Sequence, residues 1–179
     1  MKRNEQLIPI FERRSVRKYT DQVISDEEIN LILEAAMYAP SAVNKQPWHF
    51  IVVSQKKTFR KITEIHPNAS FLEGASHAIL ICGDEKLQHD EGYYLADCGA
   101  TTQNILLAAQ GLGIGSCWIG IFPREARQKS IAELFRLPDH VQPFALVSLG
   151  FPDETKKQPD RFSPEKIHRE YWSNKSGKE

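Results

Sequence analysis

The chain has 179 residues, the usual size of one domain and enough to bury a full hydrophobic core, so residues 1–179 are expected to form a single domain. Its 23 basic and 23 acidic side chains cancel, which removes overall charge as a reason to expect nucleic acid or an anionic membrane as partner. Cys82, Cys98 and Cys117 are odd in number, far apart and free of CxxC or zinc spacing, which predicts reduced thiols in a cytoplasmic protein and no metal site.

Met1 to Gln6 lead into a short amphipathic segment without the long apolar run of a secretory signal or membrane span. Leu7, Ile8 and Phe11 fall at helical spacing and predict a first helix near 4–13, with Arg13 and Arg14 in its last turn, where positive charge suits the helix dipole. Arg13, Arg14 and Arg17 lie within five residues around Ser15, which makes them either a phosphate clamp or a solvated basic helix end. Ser25 followed by Asp26, Glu27 and Glu28 marks a capped helix start, and Ile29, Ile32, Leu33, Ala36 and Met37 carry that helix to about Ala39.

Between Pro40 and Trp48 the chain is polar, and Pro47 is expected to push Gln46 out of helical dihedrals into an extended conformation. Ser41, Asn44 and Gln46 offer one hydroxyl and two amides, which suit a flat neutral heterocycle or, equally, water. Phe50–Val53, Ala78–Cys82, Trp118–Ile121 and Phe144–Leu149 are short, strongly apolar runs that predict four strands covered on both faces. Lys56–Ile65, Asp90–Leu112 and Pro123–Phe135 have helical character, giving a mixed α and β fold. From Asp153 a charged, Pro-containing stretch begins a C-terminal arm over about 153–179, and its last residues, Ser173–Glu179, should fray.

The helix predicted over 90–112 contains Ile105-Leu106-Leu107-Ala108-Ala109, more than one turn without a polar face. Such a turn must be covered all round, either by the chain's own core or by a second copy, and Gly99, Ala100, Ala108 and Ala109 are small enough for close helix approach, which predicts a C2 homodimer. The glycines of Gly111-Leu112-Gly113-Ile114-Gly115 close a helix and open a strand, the reverse of a dinucleotide fingerprint, so Gly111 and Gly113 are assigned to a helix end and a turn. The backbone of Trp118–Ile121 could then pass along the edge of a bound ring, with no side chain on Gly120 to block it. Ser116 and Cys117 lack a G-x-S-x-G context and a placed histidine, and His49, His66, His77, His89, His140 and His168 are scattered.

Arg13-Arg14-Ser15-Val16-Arg17-Lys18-Tyr19, the run from Pro40-Ser41-Ala42 through Asn44 and Gln46 to Pro47-Trp48-His49-Phe50, and Gly113-Ile114-Gly115-Ser116-Cys117-Trp118-Ile119-Gly120 together resemble the FMN-dependent nitroreductase family. Leu149-Gly150-Phe151-Pro152 followed by Arg161 is similar to that family's C-terminal part, so the likeness covers nearly the whole chain. The resemblance implies an α+β, three-layer α/β/α fold with a central, mostly antiparallel sheet, a long central helix at a dimer interface, and two FMN molecules between the subunits. It implies that Arg13, Arg14, Ser15 and Arg17 bind the phosphate, ribityl chain and pyrimidine edge, with Arg161 reaching the phosphate from the arm. It places Pro40, Ser41, Ala42 and Asn44 of the partner subunit along the flavin, with Gln46 as a further contact, Asn68 as an amide toward the ring, and Trp118, Ile119, Gly120 and Ile121 at its reactive edge.

Two departures from the family pattern stand out: the chain has no room for the helical insertions of larger members, and Pro159 stands where some members carry a second basic residue. The implied activity is reduction of nitroaromatic, quinone or similar electron-poor small molecules by NADH or NADPH. The chemistry sits at flavin N5 rather than on a catalytic side chain, in a ping-pong cycle. A flavin store or redox sensor without turnover is the alternative the same residues allow.

Overall fold

Each predicted long helix forms, and the one after Ser25 has a local cause at its start. In this computed structural model, which describes residues 4–172, Ser25 and Glu28 make a reciprocal cap: the Glu28 amide donates to Ser25 Oγ at 3.3 Å and the Ser25 amide to the Glu28 carboxylate at 2.8 Å. These two bonds satisfy orphan donors at the start of a helix over Asp26–Met37, here α2. The first helix is shorter than expected: a 3-10 turn over Glu5–Leu7 passes into α1 over only Ile8–Glu12, with Pro9 in its first turn. Residues 1–3 and the 173–179 segment expected to fray lie outside the described residues.

The four expected strands run longer than their apolar cores: β1 is Trp48–Val53, β2 His77–Asp84, β3 Gly115–Gly120 and β4 Val141–Gly150. They form one sheet in the order β1-β2-β4-β3, antiparallel throughout. Along β2 the pleat sends Ile79 and Ile81 to one face and Ala78, Leu80 and Cys82 to the other. The first face carries α2 and the long helix α4, Tyr93–Gly111; the second carries α3, Lys56–Ile65, and α5, Glu125–Phe135. The architecture is therefore three-layer α/β/α. Pro143, which has no amide to give to a ladder, falls where the β2–β4 register slips between Ile81 and Cys82.

β2 and most of β4 are buried on both faces, as expected, but β1 is an edge strand whose His49 and Val52 remain exposed. A 3-10 segment over Pro67–Gly74, absent from the sequence reading, joins α3 to β2 and buries Ala69 and Leu72. The chain also covers much of α4 by itself, with Ile105, Leu106 and Ala109 buried and Leu107 and Ala108 half-buried. Thr101 Oγ1 donates to the Ala36 carbonyl at 2.6 Å and Asn104 Nδ2 to the Ala35 carbonyl at 2.9 Å, fastening α4 to α2. Exposed apolar side chains lie on neighbouring elements: Ile10 of α1, Leu31 and Met37 of α2, and Tyr38 just beyond it. No helix among the described residues is long and apolar enough to cross a membrane.

The end of α4 follows from Gly113, whose φ of +72° lets the chain reverse. Its amide donates to the Gln110 carbonyl at 3.1 Å, and the Ile114 amide donates to the Ala109 carbonyl at 2.8 Å, the two bonds of a Schellman cap that delivers the chain into β3.

Two substitutions probe this packing. Gly83 lies under the Tyr94 ring, and a Cβ there would stand 2.1 Å from Cδ2; Gly83→Ala is expected to cost about 1–3 kcal/mol, read as a lower urea midpoint. An unchanged midpoint would mean that the ring does not bear on the strand. Ser25→Ala, which removes the α2 cap, is expected to cost about 1 kcal/mol in the same assay.

Candidate active site along the free edge of β3

The sequence between α1 and α2 has little apolar content, yet it is held as firmly as a strand. The Val16 amide donates to the Ser116 carbonyl at 2.9 Å, the Thr20 amide to the Phe151 carbonyl at 2.9 Å, and the Asp153 amide to the Lys18 carbonyl at 2.9 Å. The approach is close because two glycines face it: a Cβ on Gly115 would meet Val16 Cγ1 at 2.9 Å, and one on Gly150 would meet Tyr19 Cδ1 at 2.6 Å. The Tyr19 hydroxyl reaches the Val16 carbonyl at 2.6 Å and Ser148 Oγ at 2.7 Å, and burial raises its pKa, so it remains a neutral structural pin.

This path sets four arginines near one another without a carboxylate among them. Burial, and then the like charges of Arg161 and Arg14, push the Arg13 guanidinium below its ordinary pKa, which places these three cations together. Arg17 lies over the Phe71 ring, 5.6 Å from its centroid. Among the described residues no acid comes within 4.0 Å of any of these four side chains. The nearest candidate, Glu154, is turned to the chain instead, taking the Arg17 amide at 2.6 Å and pairing with Lys156 at 2.7 Å. Arg14 differs from the others. Its guanidinium already donates to the carbonyls of Arg13, Phe11 and Lys157 at 2.6, 2.8 and 3.2 Å, so it fastens the arm to α1.

Beside Arg17 opens a cleft of about 130 Å³ lined by His66, Asn68, Phe71 and the Cys117–Gly120 stretch of β3. β3 is the sheet edge, and an edge strand turns alternate backbone groups outward. Ser116 gives its carbonyl to Val16 and Gly120 gives its own to Arg127 Nη1 at 2.6 Å, while between them the Trp118 carbonyl accepts only the weak Cys117 thiol, at 3.7 Å. Ile119 and Ile121 point into the core, so these positions can meet a ligand only through main chain. A Cβ on Gly120 would find only the Phe122 carbonyl, at 3.8 Å, so nothing within the chain requires glycine there. Cys117 sits in the cleft wall, 2% exposed, and burial pushes its thiol up against the opposing pull of Arg17, which disqualifies it as a nucleophile near neutrality.

His66, given no role by the sequence, lines this cleft and keeps Nδ1 buried without a hydrogen-bond partner. Burial and then the Arg127 charge lower its pKa, which holds the ring neutral. Its position directly before Pro67 and two residues before Asn68 was the only available signal. A larger cleft, of about 460 Å³, lies away from all of these groups, where α5 meets the start of β4.

The second group of expected residues is elsewhere. Pro40, Ser41, Ala42, Asn44 and Gln46 precede β1, at the opposite edge of the sheet from β3, three interstrand spacings or roughly 14 Å away. Gln46 is not extended: its φ is +49°, and Val43 and Asn44 also have positive φ, at 50° and 56°. Pro47 disfavours only the right-handed helical region for its predecessor, and the left-handed one is held here by side chains. Ser41 Oγ accepts the Gln46 amide at 2.9 Å and Asn44 Oδ1 accepts Gln46 Nε2 at 2.8 Å. Asp97 of α4, a residue the sequence reading passed over, accepts the Ala42 amide on Oδ1 at 3.0 Å and leaves Oδ2 buried without a partner. One chain therefore brings Arg13, Ser15, Arg17, Asn68, Arg161 and Trp118–Ile121 to one edge and the 40–46 loop to the other.

The residues that fit a phosphorylated, planar cofactor are those at the β3 edge: guanidiniums free of acids, an amide at Asn68, outward backbone and an unpartnered ring nitrogen. The model of the nitroreductase family matches residues 10–69 and 65–151. A protein of Archaeoglobus fulgidus, provisionally named NADH dehydrogenase/NAD(P)H nitroreductase, is 49% identical over 167 residues, covering 91% of this chain and 96% of its own. The crystal structure of a protein of Parabacteroides distasonis with the same provisional name superposes at a TM-score of 0.90, with 34% identity, covering 95% of this chain and 100% of that one. A provisionally named nitroreductase of Desulfovibrio desulfuricans, solved in complex with FMN, superposes at 0.83 with 30% identity, covering 96% of this chain and 100% of that one. These matches lead to one conclusion: the chain belongs to the nitroreductase family, a family of oxidoreductases.

Proposed function

We propose that this chain is an FMN-dependent NAD(P)H oxidoreductase that reduces nitroaromatic, quinone or similar electron-poor small molecules and works as a homodimer in the cytoplasm. The observation that carries the proposal is the group of guanidiniums without acid partners at the free edge of β3, beside Asn68. Bound FMN supplies a ring that can take a hydride from a nicotinamide and pass it on. Arg13 and Arg161 would hold the phosphate, with Ser15 alongside, while Arg14, already committed to carbonyls, would act by fixing the arm from which Arg161 reaches in. Arg17, on the Phe71 face, would set a positive charge at the ring edge, and the outward main chain of Trp118–Gly120 would meet the ring where no side chain intervenes.

A second copy is part of the proposal because one chain gives only one wall. The cleft of about 130 Å³ is smaller than the ~300–1,000 Å³ that encloses a typical ligand, and the loop of Pro40, Ser41, Ala42, Asn44 and Gln46 is displaced to the far sheet edge. A partner packed on the exposed apolar side chains of α1 and α2 would bring its own loop to this chain's β3 edge.

Purified protein is expected to show flavin absorption bands that bleach on anaerobic addition of NADH or NADPH, and to sediment at twice the chain mass. Flavin that is retained but bleached by neither nucleotide would assign the protein as a flavin store or sensor. Failure to bind added FMN would overturn the site. Arg13→Ala should remove charged hydrogen bonds of about 1.5–3 kcal/mol and so weaken FMN binding roughly ten- to hundredfold by fluorescence titration. Arg17→Ala should lower the flavin potential and weaken FMN binding; an unchanged potential together with unchanged affinity would remove Arg17 from the site.

A further inference from the structure

Directly beyond the candidate FMN cleft lies a second one, of about 450 Å³, lined by Ile65, Arg124, Glu125, Ala126, Arg127 and Ser130. The two share a wall. Ile65 and His66, consecutive in the chain, face one cleft each, and Arg127 of the outer cleft donates to the Gly120 carbonyl of the inner one at 2.6 Å. Burial and then the neighbouring charge of Arg124 lower the Arg127 pKa, and Arg124 also acts on His66. Among the described residues neither arginine has a carboxylate within 4.0 Å, and the single acid of the lining, Glu125, bonds neither. His66 meanwhile leaves Nδ1 buried and unpartnered at the boundary.

Two like charges held side by side without an acid are a cost unless an anion joins them, and the FMN phosphate is assigned above to Arg13 and Arg161, which line neither cleft. We propose that Arg124, Arg127 and Ser130 form the subsite for the adenosine 2′-phosphate of NADPH, so that the outer cleft seats the adenosine half of the donor while its nicotinamide reaches the inner cleft. A phosphate monoester suits two guanidiniums and a hydroxyl, because the planar forks bond pairs of its oxygens and the hydroxyl takes the third. A cleft of about 450 Å³ falls within the usual range for a small-molecule site. Ile65 and Ala126 give it an apolar surface for the base, and because the 2′-oxygen carries the phosphate, Glu125 is left the ribose 3′-hydroxyl to accept from. This assignment rests on the NAD(P)H oxidoreductase proposed above and names which of the two donors it is built for.

The test uses the purified holoprotein and two unreactive probes, 2′,5′-ADP and 5′-AMP, titrated by calorimetry against the wild type, Arg124→Ala and Arg124→Glu. Arg124 is exposed and bonds to no other side chain among the described residues, so both variants should fold; Arg127, which also holds Gly120, is left intact. The wild type should bind 2′,5′-ADP at least tenfold more tightly than 5′-AMP, the charge reversal should abolish that preference, and Arg124→Ala should fall between. The NADPH:NADH ratio of bleaching rates should fall in step. Equal affinity of the wild type for the two probes, or a preference untouched by Arg124→Glu, would overturn the subsite even with bleaching intact. A rise confined to the KM for 4-nitrobenzoate relative to nitrobenzene would overturn it in favour of a carboxylate on the acceptor. If neither nucleotide bleaches the flavin while 2′,5′-ADP still binds through Arg124, the oxidoreductase proposal fails and the phosphate subsite stands.

Discussion

Everything at the candidate site depends on the passage of Ser15–Thr20 along the ends of β3 and β4. Without it, Arg13 and Arg17 would sit on a solvated loop, and Arg161 would have no arm to approach from. The passage requires glycine at 115 and 150, because a Cβ at either would stand under 3.0 Å from the Val16 or Tyr19 side chain. It is secured by main-chain bonds from Val16, Thr20 and Asp153 and by the Tyr19 hydroxyl, shared between the Val16 carbonyl and Ser148. A loop of low intrinsic order thus gains the rigidity of a sheet edge, and its arginines inherit that rigidity. Precise placement matters here because a bidentate phosphate contact tolerates little displacement.

Much of the architecture was legible because it depends on patterns that burial enforces. The capping box at Ser25, the continuous apolar run of β2 and the glycine stop after α4 each predicted an element with bounds within a few residues. What the sequence missed depends on tertiary choice. Gln46 was assigned extended backbone from Pro47, yet two side-chain bonds inside the loop hold it at φ +49°. The turns over Pro67–Gly74 have no periodic apolar signal, and only its place two residues before Asn68 distinguishes His66 from five other scattered histidines. The apolar turn of α4 is buried at Ile105, Leu106 and Ala109 within the chain, with Leu107 and Ala108 left half-buried.

The site residues divide in the same way. The arginine-serine cluster and the polar loop could be picked out by composition, and the resemblance supplied their roles, but no sequence argument could show that they lie at opposite sheet edges. Strand order decides that, and strand order is non-local. The division also explains why Ser41, Asn44 and Gln46, chosen as hydrogen-bonding groups for a ring, are largely spent on one another. They fix the shape of the loop and leave its main chain and small side chains to form a surface.

Overall neutrality conceals a strong local separation of charge. The ion pairs between side chains that the described residues make are Arg60 with Glu73, Lys156 with Glu154, and contacts of His49, His89 and His140 with Asp84 or Asp90. None touches the arginines of the β3 edge or of the adjoining α5 cleft. Guanidiniums kept apart from acids retain their full attraction for an incoming anion, and those at Arg13 and Arg127 are partly desolvated, so that attraction is less screened than at an exposed side chain. The repulsion within each group is borne by the fold, through the bonds that fix Arg14 to three carbonyls and Arg127 to Gly120. Two such groups, on either side of one shared wall, are what a phosphorylated cofactor and a phosphorylated donor would each require, and a single anion site would leave one of them without a purpose.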